Sequence, residues 1–121
     1  MSNILIVDDS MTMRQMVNFT LTSAGHAVTE AGNADEALLN AQKQRFDLVI
    51  SDVNMPGRSG IELVAELRKL EAYKFVPIIL LTTESQPEMK SKGRAAGATG
   101  WIVKPFDPEA LLGVLRKVLP A

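Results

Sequence analysis

Apolar residues along the chain fall into short uninterrupted runs separated by stretches with helical spacing. Ile4-Leu5-Ile6-Val7, Leu48-Val49-Ile50 and Ile78-Ile79-Leu80-Leu81 are apolar at every position. Strands buried on both faces of a parallel sheet have that signature. Trp101-Ile102-Val103 makes a shorter run, and the partly polar Ala27-Val28-Thr29-Glu30 is placed at a sheet edge. The first helical stretch spans about Thr12 to Ala24, with Met13, Met16, Val17, Leu21 and Ala24 recurring at spacings of three and four. A second starts after Asn33, a good N-cap, and carries Ala37, Leu38 and Ala41. The third holds Ile61, Val64, Ala65 and Leu67, and a fourth follows Pro87, a residue suited to a first helical turn. The last begins near Pro108, carries Leu111, Leu112, Leu115 and Leu119, and places Arg116 and Lys117 near its negative end. Five strands alternating with five helices predict an α/β open parallel sheet with right-handed crossovers.

Composition narrows the possibilities. A chain of 121 residues is the size of one domain, and no linker, repeat or low-complexity segment divides it. Only Pro120 and Ala121 follow the fifth helix, so residues 1–121 are expected to form one domain without an output domain. Lys plus Arg is 13 and Asp plus Glu is 14, giving 13 − 14 = −1. That balance argues against attachment to nucleic acid or anionic lipid by bulk charge. With no cysteine, disulfides, zinc–thiolate sites and cysteine nucleophiles are excluded. Met1-Ser2-Asn3 leads directly into the first strand, and no apolar run reaches membrane-spanning length, so a cytoplasmic protein is expected.

In an open α/β sheet, ligands bind outside the carboxyl ends of the strands. The first strand delivers Asp8 and Asp9 there, and the third delivers Asp52, then Asn54 and the Met55-Pro56-Gly57 turn. The fourth ends in Thr82-Thr83-Glu84 and the fifth in Lys104-Pro105-Phe106. Three carboxylates, a hydroxyl and an ammonium are therefore expected on one rim. Close carboxylates repel unless a cation sits among them, and an all-oxygen donor set favours Mg²⁺. A carboxylate beside Mg²⁺, a lysine and a hydroxyl suits the formation of an acyl phosphate, with Asp52 on the middle strand as the nucleophile.

Asp8-Asp9, Asp52-Val53-Asn54-Met55-Pro56, Leu81-Thr82 and Val103-Lys104-Pro105-Phe106 together resemble the receiver domain of two-component response regulators, and especially its stand-alone chemotaxis members. Each motif alone is weak; four in order, each ending a predicted strand, are specific. The resemblance covers essentially the whole chain and implies a flavodoxin-like, doubly wound sheet of order 2-1-3-4-5. It implies Asp52 as acceptor of a phosphoryl group from a histidine kinase. It implies Mg²⁺ held by Asp9, Asp52 and the Asn54 main-chain carbonyl, with Asp8 acting mostly through water. Lys104 contacts Asp52 and then the phosphoryl group in that scheme. Thr82 is the switch hydroxyl, and Asn54 and Glu84 flank the phosphoryl group and tune its hydrolysis. Lys104–Pro105 is a candidate cis peptide bond. Trp101 takes the aromatic switch position, where the family more often has Tyr or Phe, and is expected between the fourth and fifth helices. The implied partners are a chemotaxis histidine kinase, a flagellar motor switch protein and a phosphatase. The chain itself is expected to be monomeric, with neither nucleic acid nor membrane as a partner.

Plainer readings stand beside these. Trp101 also fits an ordinary strand residue packed on the last helix. His26, the only histidine, reads as a surface residue rather than a phosphoacceptor. Met11, Met13 and Met16 read as gap-filling core and helix-start residues. Lys90, Lys92 and Arg94 read as a solvated helical face, Arg58 as a variable charge near the site, and Gly57-Arg58-Ser59-Gly60 as a turn and helix start. The alternatives in function are a receiver that acts as a phosphate sink and an aspartyl-phosphate phosphohydrolase. The hydrolase is disfavoured because no insertion is long enough to form a cap over a substrate.

Overall fold

The computed structural model describes residues 2–83 and 87–119. Five strands, β1 (Asn3–Val7), β2 (Ala27–Ala31), β3 (Leu48–Asp52), β4 (Ile78–Thr82) and β5 (Gly100–Val103), form one parallel sheet ordered β2-β1-β3-β4-β5. Five helices alternate with them: α1 (Met11–Ser23), α2 (Ala34–Lys43), α3 (Gly60–Arg68), α4 (Pro87–Ala96) and α5 (Pro108–Val118). A 3-10 turn, Glu71–Tyr73, lies between α3 and β4.

The central strands carry unbroken apolar runs because both their faces are covered. Leu5, Val7, Val49, Ile78 and Leu80 pack in one layer with residues of α2 and α3. Ile4, Ile6, Leu48, Ile50, Ile79, Leu81 and Ile102 pack in the other with α1 and α5. β2 is half-exposed at the sheet edge, as its partly polar sequence requires.

Side-chain caps set where α1, α2 and α3 leave the rim. Ser10 Oγ accepts from the Met13 amide at 3.2 Å, and Asn33 Oδ1 accepts from the Glu36 amide at 2.8 Å. Ser59 and Glu62 form a reciprocal capping box at the start of α3. α1 and α2 thus begin within a few residues of β1 and β2, whereas seven residues separate β3 from α3.

The structure corrects the inward face of α1. Its buried residues are Val17, Thr20 and Leu21, while Met16 is half-exposed and Met11 largely exposed. Met13 alone of the three methionines packs against the core. The stripe is centred on Val17, and Met16 lies a hundred degrees round from it. Thr20 is admitted to the stripe because its hydroxyl donates to the Met16 carbonyl at 3.0 Å. His26, just before β2, is half-buried, and its Nδ1 accepts from the Ser2 amide at 3.3 Å.

Candidate functional site

Strand order reverses between β1 and β3, since β1 pairs with β2 on one side and β3 on the other. A crevice opens at the carboxyl ends of such a pair. Asp8 follows β1, and its amide donates to the Ala31 carbonyl at 3.1 Å, so the chain is still in register with β2 as it leaves the sheet. Asp52 is the last residue of β3 and is 5% exposed. Asp8 is buried and Asp9 exposed, and carboxylate oxygens of Asp8, Asp9 and Asp52 lie within 4.8 Å of one another.

Lys104 enters from β5. Its amide donates to the Thr82 carbonyl at 2.8 Å, which carries the chain one residue past the Thr82–Val103 pair. From there the side chain crosses the end of β4. Its Nζ lies 3.0 Å from Asp52 Oδ1 and 3.3 Å from Asp8 Oδ2. The Asp8 carboxylate also accepts from the Ser10 amide at 2.9 Å through Oδ1. The Lys104–Pro105 bond is cis. Thr82, the last residue of β4, is fully buried on the same rim, whereas Thr83 is exposed. Asn54 is exposed in the β3–α3 loop, and Glu84 lies outside the described residues.

Three carboxylates against one ammonium leave a formal −2 in the crevice. Burial pushes the Asp52 carboxyl above its ordinary value; the Lys104 hydrogen bond opposes this, and the charge of Asp8 adds to it. Burial alone would lower Lys104. The hydrogen bond and charge of Asp52, with the charge of Asp8, outweigh burial and raise it. Residual negative charge and oxygen-only donors fit a hard divalent cation, and Mg²⁺ in particular, because it takes few protein ligands.

Two residues that sequence reasoning missed shape the crevice. Gly60, the first residue of α3, lies against the Asp52 carbonyl, and its amide donates to the Val53 carbonyl at 2.9 Å. A Cβ there would collide with that carbonyl and come within 3.0 Å of Val53 Cα. Arg14 Nη1 donates to the Asp8 carbonyl at 2.6 Å. The signal for Arg14 was available: a charged residue three and seven positions before Val17 and Leu21, on the buried stripe of α1. Its partner is Glu30, on the strand whose polarity marked it as an edge.

Arg58 does not join the crevice. It pairs with Asp35 at 3.4 Å and Glu66 at 3.5 Å on the surface. Trp101 is half-exposed and packs in the layer beneath α4, over Gly93 and near Leu80. The expected place between α4 and α5 is therefore corrected, because α5 packs on the opposite face of the sheet. Trp101 alternates with Ile102, which faces the α5 layer, and successive strand residues point to opposite faces. Lys90 is half-buried on α4, and Lys92 and Arg94 are exposed.

Known proteins share this arrangement. The chain is 55% identical to the chemotaxis protein CheY4 of Vibrio cholerae, whose crystal structure superimposes with a TM-score of 0.96 over 98% of this chain and 99% of that one. The response regulator TrrA of Thermotoga maritima, solved in complex with Mg²⁺ and BeF, is 36% identical, with a TM-score of 0.88 over 98% and 100% of the two chains. Chemotaxis protein CheY-3 of Vibrio cholerae is 40% identical over 116 residues, 95% of this chain and 89% of its own. Against the transcriptional regulators that it also matches, the chain spans about half their length. Among the described residues no helix is long and apolar enough to cross a membrane. The model of the response regulator receiver domain matches residues 4–116, and with the fold and the relatives that share it, this places the chain in the receiver domain family of two-component response regulators.

Proposed function

We propose that residues 1–121 act as a single cytoplasmic receiver unit in chemotaxis, switched by phosphorylation of Asp52. The observation that carries this reading is the position of Lys104 Nζ, 3.0 Å from Asp52 and 3.3 Å from Asp8, beside a third carboxylate. The donor is a phosphohistidine on a histidine kinase. An Asp52 carboxylate oxygen attacks phosphorus while the phosphorus–nitrogen bond breaks, and the imidazole leaves with the bonding pair. Asp9, Asp52 and the Asn54 main-chain carbonyl would hold Mg²⁺, with Asp8 acting through water, and the bound ion would offset repulsion between the carboxylates and the incoming phosphoryl oxygens.

Lys104 supplies an ammonium already seated where the new charge arrives, so its reorganisation is small. The Thr82 hydroxyl moves to the phosphoryl group and draws the following loop with it. Asn54, in the β3–α3 loop, governs access of water to the acyl phosphate. Trp101 reports the change on the α4 face, where Lys90 and Lys92 face a flagellar motor switch protein. A phosphoryl group shifts the balance of two states only by its differential interaction with them, and Thr82 and Lys104 provide that difference.

Acetyl phosphate with Mg²⁺ tests the reading. One phosphoryl group per chain, located on Asp52 by mass spectrometry, is expected. Thr82→Ala should label normally yet fail to tighten on the motor switch protein. Steady turnover of a small phosphate ester in excess over protein would instead assign a phosphohydrolase.

A further inference from the structure

Arg14 is a cation whose side chain is only 16% exposed, and it touches the acidic crevice through its backbone rather than its carboxylates. Nε sits 3.0 Å from Glu30 Oε1, and Nη1 donates to the Asp8 carbonyl at 2.6 Å. The other Glu30 oxygen accepts from Asn18 Nδ2 at 2.7 Å, so the carboxylate that aims the guanidinium is itself held. Gly32 leaves room beside it: a Cβ there would stand 3.4 Å from Nη1.

The Asp8 carbonyl belongs to the peptide joining Asp8 to Asp9. Its direction fixes the plane of that peptide and, within it, the Asp9 Cα from which the side chain departs. The Asp8 carboxylate has two other anchors, the Ser10 amide and Lys104. Asp9 has none: it is exposed, and its carboxylate makes no hydrogen bond to a described residue. The geometry points to Arg14 as a positioning residue that aims the Asp9 carboxylate through the Asp8–Asp9 peptide, with Glu30 and Asn18 as its mount. This inference rests on the proposal that Mg²⁺ is held among Asp8, Asp9 and Asp52.

The sign of the effect separates aiming from simple charge. A guanidinium near the crevice repels a dication, so if field alone mattered, Arg14→Met would tighten Mg²⁺ binding. Pairing with Glu30 already cancels most of that field. Loss of aim weakens binding instead.

Titration calorimetry of the full chain with MgCl₂, well below the melting temperature, reads the difference. We expect Arg14→Met to raise the Mg²⁺ Kd about tenfold, as loss of an outer-shell partner does. Arg14→Lys carries the charge but cannot hold Glu30 and the carbonyl together, and its Kd should fall between the two. Glu30→Gln loosens the mount and should raise Kd less than Arg14→Met. A purely structural Arg14 would lower the melting temperature in EDTA and leave Kd unmoved. Binding by Arg14→Met as tight as wild type or tighter overturns the inference; if Arg14→Met does not fold, an unchanged Kd in Arg14→Lys and Glu30→Gln does so. Absence of Mg²⁺ binding in the wild-type chain would instead overturn the metal site on which the inference rests.

Discussion

At the carboxyl rim of the sheet one ammonium, Lys104, faces three carboxylates, whereas at the amino rim one guanidinium, Arg68, faces only neutral oxygens. Arg68 donates to the Gly97 carbonyl at 2.7 and 3.0 Å, to Tyr73 at 2.7 Å and to Val76 at 2.6 Å. The Tyr73 carbonyl ends the 3-10 turn and the Gly97 carbonyl closes α4, where helix dipoles favour a cation, and Val76 lies just before β4. Gly97, at φ +112°, leaves the space that the Arg68 stem fills, and a Cβ there would stand 2.9 Å from Arg68 Cγ. Tyr73 extends the pattern: its hydroxyl bonds the Ala41 and Gln44 carbonyls at 2.9 Å and accepts from the Phe46 amide.

The amino rim is satisfied by dipoles that neither titrate nor exchange. It gains nothing when a ligand arrives, and it holds three elements together. The carboxyl rim retains like-charge repulsion after Lys104 has paired, and burial has already raised the Asp52 carboxyl. Repulsion stored in the native state weakens the fold and is released when a cation enters. One rim stabilises; the other responds.

Asp52→Asn gives the largest expected contrast. Labelling by acetyl phosphate should fall to background while urea unfolding shows a chain at least as stable as wild type. Labelling at the wild-type rate would remove Asp52 from its role. Arg68→Met should do the opposite, leaving the labelling rate near wild type but costing about 2 kcal/mol in urea unfolding, because half-buried carbonyls lose their donor. A loss below a few tenths would mean that water replaces the guanidinium freely.

Magnesium should sharpen the difference further. At a tenfold excess over Kd it should stabilise the wild-type chain by about 1.4 kcal/mol, and Asp9→Asn should lose most of that gain. Equal stabilisation of both proteins would place the ion elsewhere.

The smallest effect is in pH. The Asp52 carboxyl is raised from 3.8, so its contribution to stability is full below that value and is lost as pH rises through the folded value. Urea midpoints in EDTA should therefore include a component that declines from about pH 4 upward, and Asp52→Asn should lack it. An identical slope in both proteins would show that other groups carry the titration.

Much of this was legible from the residues alone because its causes are local. Fully apolar runs marked strands covered on both faces, and Asn33 and Pro108 marked where α2 and α5 begin. Parallel connectivity then sent Asp8, Asp52, Thr82 and Lys104 to one rim, since each follows or ends a strand of the same direction. The sequence could therefore gather these residues on one rim. It could not build the contacts. Lys104 meets Asp8 across 96 positions, a distance set by the order of the strands rather than by any spacing between the two residues. Arg14 meets a carbonyl, and a carbonyl has no residue type to recognise. Met16 and Val17 look alike as hydrophobic neighbours, and only the sheet against which α1 rotates decided that Val17 goes in. Trp101 likewise went under α4 once β5 had paired with β4, because pairing fixes which alternate residues face which helical layer.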